Sequence, residues 1–128
     1  AEKISVERIF ESVGTVEPVE EEWLDAVTGL SGSGPAYVFS FVVALVRGGV
    51  AAGLPAEVAD RLARQTVLGA ASMLCELKVS PEALRKQVTS PGGTTLSGLA
   101  KLDQFEFDNA IVQAVVSAPE RSRELGRV

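Results

Sequence analysis

The sequence predicts an all-α domain that cannot bury itself alone. Three observations carry the prediction. From residue 20 onward, apolar residues recur at three- and four-residue spacing. Pro and Ser stand where helices would start, and Gly where they would stop. Finally, the segment Ala36 to Val46 is apolar nearly all round, interrupted only by Ser40. A helix of that kind needs cover on every side. A single small domain rarely provides it, so association of two chains is expected.

Each element follows from its residues. Residues 2–12 read as a short helix with Val6, Ile9, Phe10 and Val13 on one side. Thr15, Val16 and Val19 then read as an extended piece, which Pro18 demotes to an edge strand. One strand cannot make a sheet, so this piece is expected to pair outside the chain. Residues 1–19 therefore read as the end of another domain, and 20–128 as a helical unit. Glu20 to Glu22 set carboxylates at the start of a helix through "WLDAV", where they complement its dipole. "GLSGSGPAY" is expected to break that helix, with Gly29, Gly32 and Gly34 free to adopt conformations closed to other residues. Pro35 suits the first position of the next helix, which runs to about Gly48.

Pro55 opens a long helix to about Leu77, with Val58, Leu62, Val67, Ala70, Leu74 and Leu77 as its stripe and Ala59, Ala63 and Thr66 alongside. Glu57 with Arg61, and Asp60 with Arg64, are spaced for ion pairs along it. Met73 and Cys75 read as packing residues. Ser80 is placed to cap a short helix whose first turn holds Pro81. Leu96, Leu99 and Leu102 mark another helix. The last uses Phe107, Ile111, Ala114, Val115, Ala118, Ser122 and Leu125, with a kink expected at Pro119 and an end at Gly126.

Composition removes several functions. The chain has 12 Lys plus Arg against 17 Asp plus Glu, a net charge of −5, and no basic block. Neither a nucleic acid nor an anionic membrane surface is an expected partner. No histidine is present, which excludes Ser-His and Cys-His nucleophiles, and no metal site is expected. The single cysteine, Cys75, allows no intrachain disulfide and points to a reducing, intracellular setting, cytoplasmic or within an organelle. "AEKISVERIF" does not read as a signal peptide. Ala36 to Leu54 imitates a membrane span, yet holds Arg47, which costs about 3 kcal/mol at mid-span. It reads as a helix buried in protein.

Two Gly/Ser/Thr segments, Ser31 to Pro35 and Ser90 to Thr95, are each expected to open a helix. A helix start offers unpaired N–H groups and partial positive charge, which suit a carboxylate or phosphate. Neither segment is a dinucleotide or P-loop fingerprint, since the first lacks a third glycine and the second lacks lysine. As spacing alone, each is weak evidence for a site, and a helix cap with turn glycines is the favoured reading.

Longer motifs add to this. "VTGLSGSGPAYVF", "GGVAAGLP", "QTVLGAASML", "LRKQVTSPGGTTLSGL" and "ERSREL" resemble, in order along the chain, the C-terminal substrate-binding and dimerisation half of pyrroline-5-carboxylate reductase. The resemblance implies a helical bundle interlaced with a second copy, preceded by a helix and strand that complete an N-terminal Rossmann-type domain. It implies reduction of 1-pyrroline-5-carboxylate to L-proline with NADPH or NADH, the last step of proline biosynthesis. The cofactor would be held mainly by that other domain, and this part would be inactive alone. Ser90, Gly92, Gly93 and Thr94 would receive the substrate carboxylate, and Thr95 would be the catalytic hydroxyl near the ring nitrogen. Ser33, Gly34 and Pro35 would flank the nicotinamide side. Val43 and Arg47 depart from the acidic residues common there. Two other readings stand beside this one: a non-enzymatic helical dimerisation module, and the helical half of another NAD(P)-dependent dehydrogenase. The latter wants a catalytic lysine on a long helix, whereas Lys86 and Lys101 fall on short amphipathic ones.

Overall fold

The computed structural model describes residues 2–125 of the chain, with side-chain surroundings defined over 6–121. Helix α1 (Glu2–Glu11) is followed by a 3-10 turn (Glu21–Trp23), α2 (Leu24–Val27) and a π-helical turn (Thr28–Gly32). Then come α3 (Gly34–Ala51), α4 (Ala56–Glu76), α5 (Pro81–Gln87), α6 (Thr94–Gln104) and α7 (Phe107–Leu125). The architecture is all-α, as predicted. The expected stop at Gly126 and the side chains of Ser122 and Leu125 lie outside the described residues.

Residues 15–20 take no regular secondary structure among the described residues; the strand there is expected only through pairing outside the chain. One expectation needs correction: "GLSGSGPAY" does not break the chain into two helices. The backbone passes through the π turn straight into α3, with the Ser33 N–H donating to the Thr28 carbonyl at 2.8 Å. None of Gly29, Gly32 and Gly34 has positive φ.

The α3–α4 hairpin is the principal packing unit, and local chemistry explains its turn. Helix α3 runs three residues past Gly48 because a glycine-based cap closes it later. Gly53, at φ 101°, donates to the Val50 carbonyl at 3.0 Å, and Leu54 donates to Gly49 at 3.0 Å. This is the Schellman arrangement, which satisfies carbonyls that would otherwise be orphaned. Small residues then let the helices approach. A Cβ on Gly49 would sit 3.0 Å from the Ala59 Cβ, and Ala59 and Ala63 are only 4% and 6% exposed. The larger α4 residues Leu62, Leu68 and Leu74 stay exposed. On α3, the Ser40 hydroxyl donates back to the Ala36 carbonyl at 3.0 Å, so the one polar interruption is satisfied within the helix. Of the two predicted α4 ion pairs, only Arg64 with Asp60 forms, Nε to Oδ2 at 2.8 Å. Helix α5 starts as predicted, with Ser80 Oγ accepting from the Ala83 N–H at 3.2 Å.

Helix α7 gathers the remaining elements: α2 and the π turn pack on its C-terminal part, and α6 packs on it as well. Phe107, at its start, meets Phe41 of α3 with ring centroids 6.1 Å apart.

A folded single domain of this mass is expected to expose about 6,500 Å². This chain exposes 10540 Å², an excess of about 4,000 Å². Much of it is apolar. Phe39 is 67% exposed, and Val38, Phe39, Val42, Val43 and Val46 line an open groove of about 690 Å³ between α3 and α4. The continuous helical stretch Glu21–Ala51 holds an 18-residue window of mean hydropathy 1.5, long and apolar enough to cross a membrane by length and composition.

Candidate functional site

The second glycine segment forms an open, donor-rich helix start. Ser90, Pro91, Gly92 and Gly93 make a tight turn closed by the Gly93 N–H donating to the Ser90 carbonyl at 3.0 Å. Pro91 presets the second position, and Gly92 takes φ 68° at the third, as a type II turn requires. Gly93 is then the N-cap of α6, with φ −80° and ψ 170°. Lacking a side chain, it cannot cap the helix, so the first amides of α6 keep no side-chain partner from that position. Those amides and the positive end of the helix face outward. A Cβ on Gly93 would collide with the Ser90 Oγ, so the missing side chain also lets the Ser90 hydroxyl lean across the turn.

The structure thus brings Ser90, Gly92, Gly93, Thr94 and Thr95 together within one turn and one helix start. Gly93 is half-buried and the other four are exposed. Three hydroxyls and a cluster of amide donors, with no carboxylate among them, suit a small carboxylate. The same ensemble can hydrogen-bond to a ring nitrogen through Thr95.

Neighbouring residues not singled out from the sequence extend this region. A cavity of about 510 Å³ beside the turn is lined by Arg85, Lys86, Thr89, Leu96, Leu99 and Asp103, among others. Arg85 and Lys86 belong to the last turn of α5, where cations complement the helix dipole. Thr89 is spent locally, its hydroxyl donating to the Arg85 carbonyl at 2.7 Å. Glu82, also on this cavity, is held below the ordinary carboxylate range by its own backbone amide and then by the Ser80 hydroxyl.

The first segment is different. Ser33, Gly34 and Pro35 lie at the junction of the π turn and α3, and the backbone at Ser33 is helical, with φ −87° and ψ −22°. The Ala36 N–H donates to the Ser33 carbonyl at 3.0 Å, and Ser33 itself is bonded to Thr28. The expectation of a loop with free amide donors is therefore corrected here: a helix that continues leaves few donors unpaired. This segment can form a wall but not a phosphate cradle. No hydrogen bond joins it to Ser90–Thr95 among the described residues; the two are carried by different helices.

Known proteins of the same shape and sequence pattern identify the chain's relatives. Residues 21–125 match the family described as pyrroline-5-carboxylate reductase dimerisation. A pyrroline-5-carboxylate reductase from Synechocystis is 52% identical over 119 residues, a match covering 93% of this chain and 45% of that protein. One from Arabidopsis thaliana is 52% identical over 122 residues, covering 95% and 44%. Among solved structures, a Coxiella burnetii pyrroline-5-carboxylate reductase superposes with a TM-score of 0.92 at 39% identity, covering 97% of this chain and 46% of that one. A Plasmodium falciparum pyrroline carboxylate reductase with NADP bound gives 0.89 at 35% identity, covering 97% and 50%. The chain spans a little under half the length of the curated relatives it matches. With the family matched over residues 21–125 and the helical fold shared almost end to end, the chain belongs to the pyrroline-5-carboxylate reductase dimerisation family.

Proposed function

We propose that this chain is the substrate-side, dimerising half of an enzyme that reduces 1-pyrroline-5-carboxylate to L-proline, the last step of proline biosynthesis. The observation that carries the proposal is the Ser90–Thr95 turn and helix start. Its amides and hydroxyls, chiefly at Ser90, Gly92, Gly93 and Thr94, hold the substrate carboxylate against the positive end of α6. The Thr95 hydroxyl, on the second residue of that helix, hydrogen-bonds the ring nitrogen and orients the imine. With no histidine in the chain, the reading asks little acid–base work of the protein. A protonated imine needs no strong acid, and the protein's contribution is alignment of the reactants.

The nicotinamide cofactor, NADPH or NADH, supplies the hydride when bound. Ser33, Gly34 and Pro35 fit beside its ring as a wall; their paired amides do not suit its phosphates, so the bulk of that binding belongs to the N-terminal domain of a longer chain. The relative solved with NADP supports the cofactor class. On this reading the α3–α4 groove and the exposed face of α3 meet a second copy rather than lipid. The excess of about 4,000 Å² per chain, about 8,000 Å² for a pair, is more than enough surface for an obligate interface of about 2,000–5,000 Å² in total. The single cysteine, Cys75, fits a reducing setting, the cytoplasm or an organelle.

In a full-length reductase whose C-terminal half is this sequence, Thr95→Ala is expected to lower kcat/KM for pyrroline-5-carboxylate about 100-fold. A loss under about twofold would remove Thr95 from the reaction. These 128 residues alone are expected to sediment as a dimer at micromolar concentration and to turn over no substrate.

A further inference from the structure

Apart from the α3–α4 contact, this chain has little interior. Among the described residues only Gly29, Ala59, Ala63, Leu84 and Pro119 are buried. Ala59 and Ala63 serve the hairpin. Gly29 and Pro119 face each other across the π turn and α7, 90 positions apart in sequence. A Cβ on Gly29 would lie 2.5 Å from the Val115 carbonyl oxygen and 2.8 Å from Pro119 Cδ. Both distances are closer than any methyl tolerates, so this glycine is required for approach, not for a special φ.

The partner is equally specific. Within α7, the Val115 carbonyl would ordinarily accept from the amide of residue 119. Proline has none. The freed carbonyl oxygen lies where a Cβ on residue 29 would sit, an approach that only glycine permits. A second pin lies just beyond. The Tyr37 hydroxyl donates to the Ala114 carbonyl at 3.0 Å, joining residues 77 apart.

Gly29 and Tyr37 bracket Ser33–Pro35. Both are fixed to one short stretch of α7, Ala114 to Pro119. The backbone between them is continuous helix, tied by Ser33 to Thr28 and Ala36 to Ser33. A shift at either pin therefore moves Ser33–Pro35 as part of one rigid piece.

We infer that Gly29, Pro119 and Tyr37 are positioning residues for the cofactor-side wall: α7, through the carbonyls of Ala114 and Val115, sets where Ser33–Pro35 stand against the nicotinamide. The inference rests on the proposed reductase function. It is tested in the full-length reductase by titrating NADPH fluorescence for Kd, with steady-state KM for pyrroline-5-carboxylate measured alongside. Gly29→Ala is expected to weaken NADPH about tenfold while KM for the imine stays within about twofold. Tyr37→Phe, which adds no bulk and serves should Gly29→Ala not fold, is expected to weaken NADPH about threefold. Adding Pro119→Ala to Gly29→Ala removes the Cδ contact and restores a helix donor to Val115, and should recover much of the loss, a coupling that independent sites would not show. NADPH affinity within about twofold of the parent in Tyr37→Phe and in any folded Gly29→Ala would overturn the inference, whatever the melting midpoint does. So would an equal weakening of both ligands. A parent that binds NADPH yet reduces no pyrroline-5-carboxylate would instead sink the proposed function, with the NADPH titrations still deciding this one.

Discussion

The two glycine-rich segments look alike as letters and behave oppositely as backbone. Gly29–Gly34 runs as continuous helix, with every glycine at negative φ and its one buried glycine pressed onto another helix. Ser90–Gly93 is a turn that needs Gly92 at φ 68° and leaves the amides of α6 turned outward. Glycine has two uses: permitting a conformation and permitting a contact. The first segment uses the contact, at Gly29, and closes; the second uses the conformation at Gly92, with a contact inside the turn at Gly93, and opens. Only the open one has the donors to receive an anion.

The contrast can be broken by substitution. The largest expected effect is at Gly92, where any side chain meets the left-handed conformation. Gly92→Ala should destabilise the turn by about 1–2 kcal/mol and raise KM for pyrroline-5-carboxylate several-fold in the full-length reductase. Unchanged kinetics would show that the turn's shape does not matter to the substrate. Gly32→Ala should do the reverse. Its Cβ would find Thr28 Cγ2 at an ordinary 3.7 Å and its φ is not positive, so stability should hold or rise, by up to about 1 kcal/mol. A clear loss of stability would mean the π turn is not the ordered helix described. The smallest effect concerns the cap of α5, which leads into the turn. Glu82 has a folded pKa below its ordinary 4.5, owing to its own amide and Ser80. A depressed carboxylate pKa gives stability that is full above the unfolded value and lost as pH falls through the folded one. The acid limb of a melting curve below about pH 4.5 should therefore flatten slightly in Glu82→Gln, compared at one protein concentration.

Where function follows from neighbouring residues, the sequence was readable. Ser80 and Pro81 start α5, Pro55 precedes α4, and the Ser90–Thr95 turn and helix start stand where their letters suggest. What escaped depends on distant residues. Nothing near Gly29 signals that its partner is the carbonyl freed by Pro119. The apolar stripe of α4 was visible, yet its large residues and its small ones divide the work: Ala59 and Ala63 meet α3, while Leu62, Leu68 and Leu74 stay open. Periodicity reports that a face is apolar, not which surface it meets. Val43 and Arg47, where the resemblance implies acidic residues, both line the α3–α4 groove; nothing in the structure explains the exchange.

The surface left open along α3 has a consequence for how this half comes to be folded at all. A helix whose apolar flanks are covered only on association gains most of its stability in a second-order step. Its persistence is then set by mass action: at low abundance the newly made chains wait longer for one another, with Phe39 and Val43 available to chaperones, proteases and aggregation in the interval. Dosage, as much as sequence, becomes a determinant of how much working protein a cell holds.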